Sequence, residues 1–373
     1  MKSSIYILDF ICMFDPTKAD NNLPLLPIKD LKLSDKTYRQ LSKASRALAT
    51  LNTYITTNTE NVWLLVLWSF LIKEWVASNA IENINTTLES AFQADISNGK
   101  ISKEDKEVLH YKQATLRGIE ETKKYGAIIT NSLIKIQSII EPDKAWIRKI
   151  PWTVLMNWEW KVIYTPPAGE KTIKDLLSNL EKYINSKDKI DPLVKLAIIH
   201  YQFESIHPFP DGNWRTGRIL MILFLSLTWL LELPILYLSE YINKNKFEYY
   251  NSLHNVREKW DWDRLINYIL TAIEEQSIKT TYKLKQITEL IHKTVKQTEE
   301  YWLKIPYSFI MMLFDRPYNN IKSLEKEWNY SRNTIRTYLR KLEKNKIVIR
   351  IEDEIDKPYV IPEYIKILYN QKI

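Results

Sequence analysis

Apolar residues recur at helical spacing along most of this chain, and that period limits it to a mainly α-helical core. In residues 34–97 the stripe Leu41, Ala44, Leu48 and Leu51 marks one helix face. The pattern returns in 102–140 and 172–185. Asp191-Pro192 then opens a further helix, LVKLAIIHYQFESIH, with proline at its first position. The longest nearly apolar runs, 62–72 and 219–231, are shorter than the roughly 20 residues a membrane helix needs. Both read as buried core helices, and no membrane association is expected. At 373 residues the chain has material for two or three domains.

Three segments depart from the helical period. Residues 15–35 (DPTKADNNLPLLPIKDLKLSD) carry prolines and polar residues without sustained period, as expected of an extended arm lying on another surface. Residues 153–167 (TVLMNWEWKVIYTPP) place two β-rich runs around a short break at 157–160, which reads as a hairpin leaning on the helical body. From residue 300 the pattern changes again. Helices are expected at 308–314, 321–328 and 331–345, followed by short strands at 347–351 and 359–361. Ser331 suits an N-cap, Ile335, Leu339 and Leu342 form an apolar stripe, and Arg332, Arg336 and Arg340 occupy another face. This is the order of a winged helix-turn-helix, for which DNA bound through residues 331–345 is one possible partner.

The formal net charge of +8 permits nucleotide or nucleic-acid binding without demanding either. Residues 319–350 hold nine Lys and Arg against three Glu, so one C-terminal segment carries much of the excess. A single cysteine, Cys12, excludes an internal disulfide and any cysteine-based metal cluster. The opening MKSSIYILDFICMF lacks a small-residue cleavage site, so no signal peptide is read and a cytoplasmic location is expected.

The densest polar cluster, His207-Pro-Phe-Pro-Asp-Gly-Asn-Trp-Arg-Thr-Gly-Arg218, lies between two strongly apolar helices. Its parts suit nucleotide chemistry. His207 offers a general base near neutral pH, and Asp211 a hard oxygen ligand for Mg²⁺. Gly212-Asn213 leading into a helix presents backbone N–H groups to an anion, and Arg215 and Arg218 on the first turn can chelate phosphate oxygens. Taken singly, each has a plainer reading: a core histidine, a turn aspartate, or surface arginines in ion pairs.

Together these residues resemble the signature of the Fic family, H-P-F-x-[D/E]-G-N-G-R-x-x-R, met at each fixed position except Trp214. The arm, the hairpin and the C-terminal segment are similar to that family's multidomain arrangement. The resemblance implies a Fic-type helical core with a β-hairpin flap and a C-terminal winged helix-turn-helix. The expected divisions are an N-terminal arm and helical region at 1–100, a catalytic core at 101–290 with the flap at 153–167, and the winged helix at 300–373. It further implies a protein adenylyltransferase that moves AMP from ATP, with Mg²⁺, to a hydroxyl of a target protein or of itself. His207 would be the base, and Asp211 would hold the metal. Gly212, Asn213 and the N–H groups of Trp214 and Arg215 would form the anion hole. Arg215 and Arg218 would hold the β- and γ-phosphates, while Phe209 would anchor the loop in the core.

Ser78-Asn-Ala-Ile-Glu82-Asn83 matches the family's inhibitory pattern [S/T]-x-x-x-E-[G/N]. Ser78 and Glu82, four apart, are expected on one helix face. In the family this glutamate pairs with the second motif arginine, here Arg218, and the hairpin pairs with a target strand. A homodimer would also fit the resemblance. The alternatives are a Fic enzyme that transfers UMP, phosphate or another phosphate-containing group, and a DNA-binding regulator whose Fic core is degenerate.

The exception at Trp214 accompanies an abnormal composition: six glycines, against a usual share of roughly 7%, and 13 tryptophans. Trp158 and Trp160 stand in a hairpin turn. Trp229 and Trp260 follow helices where a glycine cap is expected, and Trp152 follows Pro151 at a turn. Several tryptophans therefore read as glycines whose UGA codons were translated with the wrong table, although Trp262 has no glycine-like context. A genuine Trp214 would instead give a core that binds nucleotide poorly.

Overall fold

A computed structural model describes residues 14–57, 62–82, 86–96, 103–149, 153–156, 159–327, 330–351 and 357–369. Among them the fold is mainly helical. The helices are Asp35–Thr57, Val62–Ile81, Leu88–Ile96, Lys103–Tyr125, Thr130–Ile140, Glu170–Ile184, Pro192–Ile206, Asn213–Leu227, Leu238–Lys244, Lys246–Lys259, Trp262–Glu300, Tyr307–Asp315, Ile321–Glu327, Arg332–Lys344 and Pro362–Tyr369. Two antiparallel hairpins, Leu155–Met156 with Val162–Tyr164 and Ile349–Arg350 with Tyr359–Val360, interrupt them. No helix among the described residues is long and apolar enough to cross a membrane.

The chain forms two compact units, each assembled from stretches distant in sequence. One comprises the chain up to Ala49, Gln113–Glu232 and Tyr241–Glu275; the other comprises Thr50–Lys112, Leu233–Glu240 and Gln276–Ile373.

The centre of the first unit is the helix Pro192–Ile206, packed against Asn213–Leu227 on one side and Glu170–Ile184 on another. Asp191 caps it by accepting the Leu193 N–H at 2.8 Å, and every residue from Leu193 to Ile206 is buried. Glu170–Ile184 buries one stripe only, Ile173, Leu176, Leu177, Leu180, Tyr183 and Ile184, at the spacing of a helix lying on a core. Each such side chain contributes about 1.5–3 kcal/mol of burial energy. Gly118 lets the helix Lys103–Tyr125 approach closely, since a Cβ there would stand 2.8 Å from Leu223 Cδ1. The expected helical stretch 102–140 is split at Gly126, whose φ of +59° ends one helix before the next begins.

The arm lies along this unit. Asn179 exchanges hydrogen bonds with the backbone of Leu26, and Gln202 donates to the Pro24 carbonyl at 2.8 Å. Asp20 N–H reaches the Thr165 carbonyl at 3.0 Å, just past the first hairpin. That hairpin's strands are shorter than the sequence pattern implied, with a register irregularity between Leu155 and Met156.

In the second unit, Val62–Ile81 packs on Tyr307–Asp315 and Leu88–Ile96. Its Glu74 is buried and accepts hydrogen bonds from the backbone N–H and hydroxyl of Ser239. Ser331 caps the helix Arg332–Lys344 as expected, and Ile335, Leu339 and Leu342 are buried. Arg332, Arg336 and Arg340 are exposed. The strands at 349–350 and 359–360 are shorter than expected, and the terminal helix Pro362–Tyr369 was not anticipated.

Four tryptophans have left-handed backbone: Trp160 (φ +62°), Trp229 (+58°), Trp260 (+58°) and Trp302 (+51°). For an L-residue with a bulky side chain this conformation costs about 1–2 kcal/mol. At Trp229 the residue's own N–H bonds the Ser226 carbonyl, and that of Leu230 reaches Leu225. At Trp302 the same pair runs to Glu299, with Leu303 reaching Thr298. These are the paired bonds of a Schellman helix end, in which the left-handed position is usually glycine. Trp152 and Trp158 lie outside the described residues.

Candidate active site

The helix Pro192–Ile206 ends on His207, itself left-handed at φ +48°, with its N–H bonded to the Phe203 carbonyl at 3.0 Å. Only 7% of His207 is exposed. Burial drives its imidazole down to about 3; the nearby Arg148 guanidinium adds to this, while the Glu204 carbonyl opposes it. The ring is therefore neutral at physiological pH, the form that accepts a proton.

The next residues turn tightly into the helix Asn213–Leu227. Asn213 holds the turn shut: its Oδ1 accepts the Phe209 N–H at 2.9 Å and its Nδ2 donates to the Phe209 carbonyl at 2.8 Å. Its side chain is thus a loop brace, which leaves its backbone N–H as its contribution to an anion site. Phe209 is fully buried, as expected. Gly212 is required twice over. Its φ is +74°, and a Cβ would stand 3.3 Å from both Glu141 Cγ and Ile140 Cγ2. The N–H groups of the following first turn face outward along the helix axis, where an anion is favoured.

The charged side chains around the turn already have partners, and the partners come from a segment the sequence reading passed over. Lys144 Nζ lies 2.5 Å from Asp211 Oδ2, and Arg215 Nη2 lies 2.6 Å from Glu141 Oε1 and 3.8 Å from Asp211 Oδ1. Glu141 precedes the short 3-10 turn Pro142–Lys144, and Lys144 is its last residue. Burial raises the Asp211 pKa, but hydrogen bonds from Lys144 and the Gly212 N–H outweigh it and hold the carboxyl below its ordinary value. Asp211 is thus ionised and half-exposed. Among the described residues no group of three or more His, Cys, Asp or Glu could hold a metal. A single hard carboxylate beside an anion-binding turn suits a Mg²⁺ ion that arrives with phosphate oxygens rather than one held in a protein cage.

Arg215 and Arg218, expected to act side by side, have different neighbours. Arg218 is buried, and its charge bears on His200 and the Tyr249 hydroxyl, which hydrogen-bond each other at 2.7 Å. His200 is driven to about 3 by burial, with Arg218 adding to the effect. Gly217 makes this arrangement possible: a Cβ there would overlap Glu204 Oε1 and stand 3.1 Å from Phe203 Cδ1. Trp214 sits in the helix, its indole edge-on to Tyr249 and Tyr250 with ring centroids 5.8 and 5.7 Å away.

Arg148 is the least expected member. Fully buried, it donates from Nε to the His207 carbonyl at 2.6 Å, and from Nη2 to Pro167 at 2.5 Å and Ile206 at 3.1 Å. Its own N–H bonds the Pro208 carbonyl at 2.9 Å. One guanidinium thereby ties the histidine's backbone to the exit of the first hairpin. Burial lowers its pKa to about 10, which leaves it cationic at neutral pH. The only sequence signal was an arginine just before a β-rich run.

Ser78 and Glu82 belong to the second unit. Ser78 is buried in the helix Val62–Ile81, whereas Glu82 stands one residue beyond it, its N–H bonded to the Asn79 carbonyl at 2.9 Å. The helix end is tightened there by this i→i−3 bond. Asn83 lies outside the described residues.

Comparison with known proteins agrees with the motif. A profile described as "Fic/DOC family" matches residues 81–225, and one described as "Fic/DOC family N-terminal" matches 38–120. A probable protein adenylyltransferase of Aquifex aeolicus is 27% identical over 166 residues, 43% of this chain and 44% of that protein. A protein adenylyltransferase of Caenorhabditis elegans is 32% identical over 92 residues, 24% of this chain and 16% of that protein. The chain thus matches less than half the length of these curated relatives. A Fic family protein from Desulfovibrio desulfuricans G20 has the same fold, with a TM-score of 0.59 at 18% identity over 90% of this chain and 98% of that one.

Proposed function

Because this chain belongs to the Fic/DOC family, we propose that it is a protein adenylyltransferase, moving AMP from ATP to a side-chain hydroxyl of a target protein. The observation that carries the reading is a neutral, buried His207 set directly before the start of a helix that bears two buried arginines. The hydroxyl oxygen attacks the α-phosphorus as its proton passes to His207. The bond from that phosphorus to the bridging oxygen breaks, and pyrophosphate leaves with the electron pair. The backbone N–H groups of the turn 212–215 bear the charge growing on the phosphate oxygens. Arg215 and Arg218 meet the β- and γ-phosphates once Arg215 has exchanged Glu141 for them. Asp211 is the residue that would hold Mg²⁺, and the ion would supply neutralisation of the phosphate charge. The hairpin offers its edge to an extended target segment.

Labelled ATP with Mg²⁺ tests this. Incorporation into the chain itself or into added protein is expected, and its loss in His207→Ala is required. Equal labelling in that variant rejects the assignment. Label arriving from the γ- instead of the α-phosphate, or from UTP in preference to ATP, replaces AMP by another phosphate-containing group. Glu82 is proposed as an inhibitory residue paired with Arg218, so Glu82→Gly should raise labelling; an unchanged level removes Glu82 from that role.

A second reading concerns the C-terminal segment, whose exposed Arg332, Arg336 and Arg340 share a helix with a buried Ile335, Leu339 and Leu342 face. That arrangement suits a winged helix-turn-helix bound to DNA. A salt-dependent gel shift weakened by Arg336→Ala supports it, and no shift at low salt excludes it.

A further inference from the structure

Left-handed backbone is where glycine is at ease and a bulky side chain is not. Four of the 13 tryptophans nevertheless adopt it, two of them at helix ends closed by the paired bonds that call for glycine. Packing does not account for three of the indoles: Trp160, Trp229 and Trp302 are 84%, 79% and 85% exposed, whereas Trp260, 42% exposed, meets Trp262 edge-on at 5.5 Å. Trp75 and Trp262 behave differently. They are 1% and 3% exposed and lie within helices, and Trp262 packs its ring against Tyr201 at 4.8 Å. Among the described residues, Trp75 and Trp262 are thus fitted to their surroundings, while the left-handed tryptophans stand where the backbone favours glycine, and they accompany a shortage of glycine.

We infer that positions 160, 214, 229, 260 and 302 carry glycine in the protein its own cell makes, UGA being read there as glycine. The turn at 212–215 then offers its N–H groups to a nucleoside triphosphate without an indole beside them. At 214 the inference rests on the adenylyl-transfer reading of that turn; at the other four positions it stands on backbone geometry. Glycine at 214 also removes the ring that meets Tyr249 and Tyr250 edge-on.

Codons and peptides decide it. The five codons are expected to be UGA, and peptide mass spectrometry of the protein from its source cell should find glycine at each. Tryptophan peptides are expected at 75 and 262. A UGG codon or an indole at any of the five overturns the inference for that position. In the recombinant chain, replacing Trp160, Trp229, Trp260 and Trp302 with glycine should raise the unfolding midpoint by roughly 5 °C; an equal or lower midpoint counts against it. Adding Trp214→Gly should tighten Mg²⁺-ATP binding by calorimetry at least about tenfold, and unchanged affinity counts against glycine at 214. Glycine peptides together with no ATP binding by either chain would uphold the glycine assignment and reject adenylyl transfer instead.

Discussion

Lys144 Nζ stands 2.5 Å from Asp211 Oδ2, so the carboxylate suited to a magnesium ion already faces a cation. The pair is half-exposed on both sides and weak in water. It is a competitor for the ion. Lys144→Met should lower the Mn²⁺ concentration for half-saturation, followed by electron paramagnetic resonance, by roughly two- to fivefold. A rise in that concentration would mean that Lys144 assists ion binding.

Arg148 makes three side-chain hydrogen bonds, to the backbone carbonyls of His207, Pro167 and Ile206. Arg148→Met should cost about 2–4 kcal/mol in chemical unfolding and reduce AMP transfer about 100-fold, mostly in kcat, since it loosens the histidine rather than the nucleotide. Arg148→Lys should not restore the rate, because a single ammonium cannot reproduce the guanidinium fork.

Gly217→Ala forces a methyl group against Glu204 and Phe203. The expected loss is about 1–3 kcal/mol of stability, read from the urea midpoint, with the helix content seen by circular dichroism unchanged.

His200 and His207 are both held neutral by burial, each at about 3. Protonation therefore favours the unfolded chain. The stabilising contribution is complete above the ordinary histidine value of about 6.5 and is lost as pH falls from there toward 3, at about 1.4 kcal/mol per pH unit for each ring. Urea unfolding between pH 7 and 5 should show this slope, and His200→Gln should roughly halve the histidine part of it. An identical slope in that variant would show that His200 does not titrate on unfolding.

The loop from His207 to Arg218 was legible because its chemistry is contiguous: one turn supplies base, carboxylate, glycine and arginine in order. The helical core was legible from the period of Leu41, Ala44, Leu48 and Leu51 and from the Asp191-Pro192 start. Glu141, Lys144 and Arg148 were not. They reach the loop from residues 59 to 74 positions away, and nothing in a local pattern distinguishes an arginine that bonds the His207 carbonyl from one in solvent. Gly217 was visible as a glycine but not as a necessity, because its reason is a carboxylate on the facing helix. The four left-handed tryptophans divide in the same way. Trp160, Trp229 and Trp260 stood at turn positions by sequence, whereas Trp302 became conspicuous only through its backbone angle.

The contact between Gly217 and Glu204 also decides which parts of the site are free to rearrange. With no gap at their crossing, the helices Pro192–Ile206 and Asn213–Leu227 are keyed together and cannot slide past each other when a ligand enters. Accommodation falls to the rim, where Glu141 and Lys144 have only to swing away from their partners. The two-helix framework is thus an anvil, and the short turn beside it is the part that yields.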